Sequence, residues 1–392
     1  MQIKAFAFLV TIALLLLSAC GTFATESPTE DISTETSPEV SETETTGALL
    51  VWESADAPCE TAAMTLEGLS YGECGGPLTN VASAVTNHSA RLSELSGLYA
   101  SFSSETPAGD LIFKGTGNLI PTDAEKRAIA EWVKLLAQVA QAGRTDSAWG
   151  MAFVWQREGG PGGFCDEVVV YLTGRVTASD CKGYDAQGYL TASQLDQLYI
   201  WVDGLTTIDH TQTFPPETGG LEMTLALTGN GQKQADEEII LDIFEFAATL
   251  YTELGYAAQA GAEVDKAQQV LQEFLMGLNS GDYTLAAKLY GGDISLLQTW
   301  NPDIRDDLPA LLERACTQNG LQCLIPRLIT YRAPDSDGGY HFYVEFNNTD
   351  QTLFRQGPCC GETSGTPVSL FPFLVEKSAS SLVVTDLPPY VP

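Results

Sequence analysis

The sequence predicts an α+β protein with mainly antiparallel sheet, built from two tandem copies of one unit followed by a different C-terminal domain. From residue 48 onwards, short β-rich runs alternate with amphipathic helical stretches. The order strand, cysteine-flanked hairpin, helix, strand ending in Gly-x-Gly, and long helix occurs twice. Such repetition in order indicates internal duplication, and we place the two repeats at residues 48–145 and 146–258.

The hairpin of each copy is the clearest point of similarity. Each copy opens with an apolar strand that ends in tryptophan, Leu49–Trp52 in the first and Met151–Trp155 in the second. A cysteine, a β-rich run containing Leu-x-Gly, and a second cysteine follow at nearly equal spacing. This spacing predicts a hairpin whose two strands are joined by a disulfide near their open ends. The matching residues are Cys59, Leu66, Gly68 and Cys74 in the first copy, and Cys165, Leu172, Gly174 and Cys181 in the second.

Two helices and a strand complete each predicted unit. Capping boxes at Thr191–Gln194 and Thr122–Glu125 mark helix starts. The strand between the helices ends in Gly115-Thr116-Gly117 in the first copy and in Gly229-Asn230-Gly231 in the second. The apolar stripes are Leu195, Leu198, Val202 and Leu205, matched more loosely by Leu92, Leu95, Leu98 and Phe102, and, on the closing helices, Ile129, Trp132, Val133, Leu136 and Val139, and Ile240, Ile243, Phe244, Ala247 and Leu250.

The N-terminus carries an export pattern. Lys4 precedes an apolar run from Ala5 to Leu17, which leads into Leu17-Ser18-Ala19-Cys20. This resembles a bacterial lipoprotein signal, which implies that residues 1–20 direct export and that Cys20 is cut free and acylated. The resemblance implies a lipid-anchored protein of the cell membrane or cell surface that faces away from the cytoplasm.

Composition agrees with a place outside the cytoplasm. Residues 21–47 are dominated by Ser, Thr, Glu and Asp, which predicts a disordered acidic tether. The formal net charge of −32 repels phosphate, so we expect no nucleic-acid partner. No further apolar run is long enough to span a bilayer.

The cysteines indicate disulfides rather than metal thiolates. With Cys20 assigned to the lipid, the remaining cysteines form an even set, and no CxxC pair occurs. The last four allow three pairings. Neighbouring Cα atoms lie closer than a disulfide normally requires, so we expect Cys316 and Cys323 each to bond with Cys359 or Cys360.

The C-terminal domain, residues 259–392, begins with two helices. Val264, Ala267, Leu271, Phe274 and Leu278 share one helical face, and a short helix follows the turn Asn279–Asp282. Tyr340–Phe346 is strongly β, with alternate residues on one face. This order resembles the start of domains of the nuclear transport factor 2-like and polyketide-cyclase-like type, which implies a cone-shaped α+β domain with an internal pocket. Candidate pocket residues are Arg305, His341, Tyr343 and Glu345.

No motif points to a cofactor, a metal or a catalytic set. The three histidines, His88, His210 and His341, lie in three different units. Asp335–Gly339 lacks the closing glutamate of a calcium loop and is better read as a hairpin turn. Trp52, Trp155 and Trp201 could form a ligand platform, but their apolar surroundings favour burial.

Three functions remain open. The leading one is non-catalytic binding of an extracellular small molecule, peptide or protein. The second is inhibition of secreted proteases, because the loop Gly159–Phe164 before Cys165 resembles the opening of emfourin-type bacterial inhibitors. The same loop is better explained as a hairpin connection. The third is a polyketide-cyclase-like enzyme with His341 as general base.

Export and acylation are directly testable. We expect mass spectrometry of the membrane fraction to find an N-terminal peptide that begins at acylated Cys20. A cytosolic protein with an uncleaved N-terminus and free thiols would contradict the prediction.

Overall fold

Three antiparallel sheets organise the chain. The computed structural model describes residues 47–144, 148–215, 219–304, 306–336, 338–357, 367–378 and 381–391. Two of the sheets have six strands and one has four. All of these residues belong to one unit, Glu42–Pro392. The α+β class is therefore confirmed. No helix among the described residues is long and apolar enough to cross a membrane.

Repeat 1 is a six-stranded sheet with helices packed against one face. Its strands are β1 (Leu50–Glu53), β2 (Glu60–Met64), β3 (Gly68–Glu73), β4 (Thr79–Ala82), β5 (Ala100–Thr106) and β6 (Gly109–Thr116). Its helices are α1 (Ser83–Thr86), α2 (Ser89–Leu98) and α3 (Asp123–Ala142). The sheet order is β4-β3-β2-β1-β6-β5.

Repeat 2 has the same topology. Its strands are β7 (Met151–Gly159), β8 (Phe164–Tyr171), β9 (Arg175–Asp180), β10 (Asp185–Tyr189), β11 (Thr206–Thr213) and β12 (Glu222–Asn230). Its helices are α4 (Ala192–Gly204) and α5 (Glu237–Gln259). The order β10-β9-β8-β7-β12-β11 matches repeat 1 strand for strand, which confirms two tandem units of one fold.

Helix α2 is shorter than its apolar pattern predicted. It ends at Leu98, which is 38% exposed, because Tyr99 takes an extended backbone at the C-cap. Phe102 lies instead in β5, where its ring stacks on Phe113. The prediction that Phe102 continues the helical stripe is therefore wrong. Strands β4, β5, β10 and β11 were also missed, because their residues are largely polar.

The Gly-x-Gly strand ends have the same structural cause in both repeats. A Cβ at Gly115 would lie 2.0 Å from the carbonyl oxygen of Tyr99, and one at Gly229 would lie 2.2 Å from that of Leu205. Tyr99 and Leu205 are the C-caps of α2 and α4. Only glycine lets β6 and β12 pass so close to the end of the preceding helix.

The predicted hairpin disulfides are confirmed. Cys59 bonds to Cys74 and Cys165 bonds to Cys181, with Cα atoms 5.5 Å and 5.7 Å apart. Each bridge joins the open ends of the hairpin that follows the first strand of its repeat, β2–β3 in one and β8–β9 in the other.

The third bridge corrects our pairing. Cys316 bonds to Cys323, only 7 residues on, and not to Cys359 or Cys360, which lie outside the described residues. The chain turns back at Gly320, whose φ is +88°, and brings the two Cα atoms to 5.5 Å. The prediction failed because it treated this short segment as one side of two long-range bridges.

The C-terminal domain packs four helices against a four-stranded sheet. The helices are α6 (Ala262–Ser280), α7 (Tyr283–Leu289), α8 (Ser295–Trp300) and α9 (Leu308–Thr317). The strands are β13 (Ile325–Pro334), β14 (Tyr340–Asn347), β15 (Phe371–Ser378) and β16 (Ser381–Val384), paired in chain order. The predicted inward face of β14, with Phe342 and Val344, is buried against this helical layer. Strand β13 was not predicted.

The close approach at Gly229 generates a stability prediction. We expect Gly229→Ala to destabilise the fold by about 1–3 kcal/mol, because the added methyl group overlaps backbone atoms. Gly204→Ala is the control, since nothing lies within 4 Å of a Cβ there. Urea unfolding followed by circular dichroism measures both. Equal midpoints for the two variants would contradict the packing explanation.

Candidate functional site

Three of the predicted pocket residues, His341, Tyr343 and Glu345, do not line the interior of the C-terminal domain. His341, Tyr343 and Glu345 alternate along β14 with the inward-facing residues, so they lie on the outer face of the sheet. The neighbouring strand β13 packs against α5 of repeat 2. Arg305 lies outside the described residues. Glu345 therefore lies at a domain interface, where it contacts Ser193 of repeat 2.

Side chains occupy the space that an internal pocket would need. The inner face of the sheet and helix α6 meet in a core of aromatic and aliphatic residues. The side chains of Phe274, Val344 and Phe346 are 0% exposed, so no water-sized space remains beside them. A small organic ligand needs a cavity of several hundred Å³.

Glu345 is the one candidate with unusual chemistry. It is 1% exposed, and its Oε1 accepts hydrogen bonds from the Ser193 backbone N–H at 3.2 Å and the Ser193 hydroxyl at 3.4 Å. Ser193 is the second residue of α4, where backbone N–H groups have no partner within the helix. The Ser193 hydroxyl also bonds to Ser369. A carboxylate of the C-terminal domain thus binds the start of a helix in repeat 2.

A second buried contact joins the C-terminal domain to repeat 1. The side chain of Arg327, on β13, is 2% exposed and donates from Nη2 to both carboxylate oxygens of Glu125, at 2.9 Å and 2.6 Å. Its Nη1 donates to the Ile120 carbonyl oxygen at 3.1 Å. The Tyr99 hydroxyl donates to Glu125 at 2.9 Å. Glu125 also closes the α3 capping box by accepting from the Thr122 N–H. We call Glu125, Arg327, Glu345 and Ser193 the junction.

The two repeats also contact each other directly. Arg127 on α3 donates to both oxygens of Asp203 on α4, at 2.5 Å and 2.9 Å, and lies over the Tyr199 ring. Nearby, the Arg91 guanidinium lies 3.7 Å from the centre of the Tyr189 ring. A cavity of about 50 Å³ between the repeats is too small for a metabolite.

The electrostatics of the junction centre on Glu345. Burial raises the pKa of its carboxyl to about 7, and the nearby Glu125 carboxylate adds to this rise. Hydrogen bonds from Ser193 and the charge of Arg327 oppose it. A carboxyl with a pKa near 7 suits acid–base catalysis. At 1% exposure, however, no substrate can reach Glu345, so its perturbation follows from packing.

His341 lies at the far end of β14 from Glu345. Its side chain is 41% exposed, and Nε2 lies 3.2 Å from a carboxylate oxygen of Asp335. Tyr343, between them, packs under the Arg332 guanidinium at 4.4 Å. The structure therefore brings His341 and Glu345 onto one face but not into one cavity.

The other candidate motifs have structural explanations. The turn that includes Gly160–Gly163 closes the β7–β8 hairpin, and its Pro161, Gly162 and Gly163 are exposed. Trp52, Trp155 and Trp201 are buried in their cores, as expected. Among the residues that the structure describes, no group of three or more His, Cys, Asp or Glu side chains could hold a metal ion.

Comparison of the chain with protein-family models, curated proteins and solved structures finds no match. The role of the junction is therefore argued from its geometry.

The raised pKa of Glu345 predicts a pH-dependent stability. A carboxyl whose folded pKa lies above its unfolded value favours folding while protonated. That stability is present below about pH 4.5 and is lost as the pH rises through about 7. Glu345→Gln mimics the protonated form. We expect it to exceed wild type at pH 8 by up to about 3 kcal/mol and to differ little at pH 4.5.

Urea midpoints at the two pH values measure this effect. Glu376→Gln, at an exposed position of β15, is the control and should change neither midpoint. A Glu345→Gln variant with the same pH profile as wild type would contradict the prediction.

The Arg327–Glu125 contact predicts non-additive stability changes. Arg327→Met leaves the Glu125 carboxylate buried without its cation and should cost about 3–5 kcal/mol. The double variant Arg327→Met/Glu125→Gln should recover part of this loss, because the uncompensated charge is gone. Lys126→Met, in an exposed pair with Asp123, is the control and should cost less than about 1 kcal/mol. Chemical denaturation of the wild type, the single variants Arg327→Met and Glu125→Gln, and the double variant provides the cycle, and additive losses would contradict coupling.

Proposed function

We propose that the protein is a non-catalytic binding lipoprotein of the bacterial cell surface. A lipid on Cys20 and the polar segment 21–47 would hold the folded body outside the membrane, where it binds a peptide or protein partner. The observation that carries the proposal is that the buried charged side chains hold the domains together. Glu345, Arg327 and Glu125 join domains, and the cavity that Glu125 lines, of about 50 Å³, is too small for a substrate.

The filled interior of the C-terminal domain favours a large partner over a small one. The resemblance to nuclear transport factor 2-like domains implies a ligand pocket, and the core residues occupy that space. Exposed sheet faces and loops remain as binding surfaces. Such surfaces suit a polypeptide, which can contact an area rather than enter a cavity.

The disulfides support the extracellular part of the proposal. The three described bridges each close a short segment within one domain. Disulfides persist in oxidising compartments and are rare in the cytosol. An acidic surface with a net charge of −32 also suits a protein that stays in solution beside a membrane.

A peptide-display selection tests the binding function. The purified full-length chain, held in detergent through its lipid, should enrich a related set of peptide sequences. Each enriched peptide should bind in solution without being altered by the protein. Failure to enrich any sequence would contradict polypeptide binding, and chemical conversion of a bound peptide would contradict the non-catalytic assignment.

Protease inhibition is the second candidate function. The observation in its favour is the exposed tip Pro161–Gly163, which projects from the β7–β8 hairpin. Stoichiometric inhibition of a secreted metalloprotease, lost when this tip is replaced by a two-residue Asn-Gly turn, would support it. No inhibition across a panel of such proteases would remove it.

A further inference from the structure

A cleft lined by tyrosines lies in repeat 2, between the β9–β10 turn and the second half of α5. It is open to solvent and has a volume of about 310 Å³. Three partly buried tyrosines line it, Tyr184 from the turn and Tyr251 and Tyr256 from the helix. The other lining residues are Asp180, Thr252, Gly255 and Gln259. We call this space the tyrosine cleft.

The packing of the turn on α5 holds two of the rings in place. The Tyr184 hydroxyl donates to the Tyr251 carbonyl oxygen at 3.4 Å. The two rings meet edge to face, with their centres 5.2 Å apart and their planes at 71°. A Cβ at Gly255 would lie 3.5 Å from the Tyr184 hydroxyl oxygen, so this ring lies directly on the helix. The two rings therefore form two walls of the cleft.

The cleft carries a fixed negative charge. The Asp180 carboxylate accepts hydrogen bonds at Oδ1 from the backbone N–H groups of Tyr184 and Lys182, each at 2.8 Å. The bond from Tyr184, and with it the bond from Lys182, lowers the pKa of Asp180, so the carboxylate is charged at neutral pH. Its other oxygen is left for a ligand in the cleft.

Among the residues that the structure describes, no lysine or arginine lines the cleft. Basic side chains on the neighbouring elements have their own partners. These contacts are Lys182 with the Gly162 carbonyl oxygen, Arg157 with Asp166, and Arg332 with Glu253. The charge of Asp180 is therefore not balanced within the cleft.

The tyrosine side chains remain neutral, so their rings keep electron-rich faces. Burial raises the pKa of Tyr184 to about 12, and the Asp180 and Asp185 carboxylates add to this rise. Burial also raises the pKa of Tyr251, and the Asp166 carboxylate, which is hydrogen-bonded to its hydroxyl, adds to it. Neutral aromatic faces beside a carboxylate attract positive charge.

Repeat 1 shows that the fold does not require these tyrosines. Counted from the second hairpin cysteine and from the N-cap of the closing helix, the corresponding positions of repeat 1 are Pro77, Ala137 and Ala142. None of these side chains is aromatic. The tyrosine cleft is thus a property of repeat 2, although the two repeats share one strand order.

The lining selects one kind of ligand. An ammonium group with carbon substituents is attracted to a tyrosine ring when it lies within about 6 Å of the ring centre, and its carbon atoms can leave water at little cost. Asp180 supplies the balancing charge. An anion would be repelled by Asp180 and by a chain whose formal net charge is −32. A neutral ligand would make no use of the carboxylate.

We propose that the tyrosine cleft binds an organic cation, an ammonium group that carries carbon substituents. The group lies against the tyrosine rings beside Asp180. Thr252 and Gln259, both exposed, offer hydrogen bonds to polar groups of the same ligand. The cation can belong to a free small molecule or to a side chain of a polypeptide. The site goes beyond the proposed function and does not depend on it.

Choline is the first probe, titrated onto the full-length chain in detergent and followed by isothermal titration calorimetry. Its uncharged analogue, with carbon in place of nitrogen, has the same shape. We expect choline to bind about tenfold or more tightly than this analogue, because the two differ only in charge. Equal binding of the two compounds, no binding of choline, or equally tight binding of glucose would overturn the proposal.

Paired variants show whether choline binds in the cleft. Tyr256→Leu removes a ring and should weaken binding about fivefold or more, whereas Tyr256→Phe keeps the ring and should change binding about twofold or less. Asp180→Asn should likewise weaken binding about fivefold or more. Asp185→Asn, at an exposed position of the same hairpin, should change it about twofold or less. Equal effects within either pair would contradict the site.

The thermal midpoint of each variant, followed by circular dichroism, shows that it is folded. If Tyr256→Leu lowers the midpoint, the Asp180→Asn and Asp185→Asn pair still decides the proposal. A short peptide with one trimethylated lysine identifies the carrier of the cation. Tighter binding of this peptide than of choline supports a polypeptide carrier, and weaker binding supports a free small molecule. The peptide-display selection decides the proposed function independently.

Discussion

The position of the C-terminal domain on repeat 1 is fixed by one buried ion pair, Arg327 with Glu125. Removing both charges from water is expensive, and such a pair often contributes little net stability. The pair instead fixes the position of β13 relative to α3. The planar guanidinium donates from Nη2 to both Glu125 oxygens and from Nη1 to the Ile120 carbonyl oxygen, which fixes its orientation, whereas an apolar contact tolerates sliding. Because Glu125 also caps α3 and accepts from Tyr99, the pair ties β13 to the interior framework of repeat 1. Glu345 of the same domain accepts hydrogen bonds from Ser193 at the start of α4.

Duplication explains why the two repeats share a backbone arrangement although their surfaces differ. The two units keep the features that backbone geometry demands, namely the strand order, the hairpin disulfide and the Gly-x-Gly passage beside a helix end. They differ where side chains meet solvent or another domain. Repeat 2 contacts the C-terminal domain through α4 and α5, and repeat 1 contacts it through Glu125 of α3 while one face of its sheet stays open. The two repeats thus share one backbone arrangement and differ in the surfaces that they present.

The sequence was enough to predict features that depend on nearby residues, such as hairpins and helix caps. It was not enough to predict features that depend on contacts between distant residues. Cysteine spacing and Gly-x-Gly order were enough to predict the duplication, and the capping boxes at Thr122 and Thr191 are present as expected. Polar edge strands such as β5 carry no apolar alternation and were not found. The junction could not be predicted either. Glu125 was recognised only as a capping residue, and nothing in the sequence around Arg327 marks a buried cation. Glu345 was predicted to line a pocket, but it lies on the outer face of β14, and the inner face of that strand packs into the core.

The spacing of the junction along the chain also bears on the order of folding. Glu125 and Arg327 are 202 residues apart, and Ser193 and Glu345 are 152 apart. Closing such large loops is entropically slow compared with forming a hairpin or a local helix pair. Each repeat, in contrast, is held by nearest-neighbour strands and its own short covalent bridge. We therefore expect the C-terminal domain to dock after the repeats have folded, and a partly opened molecule to retain both repeats while exposing the ends of α3 and α4 to water.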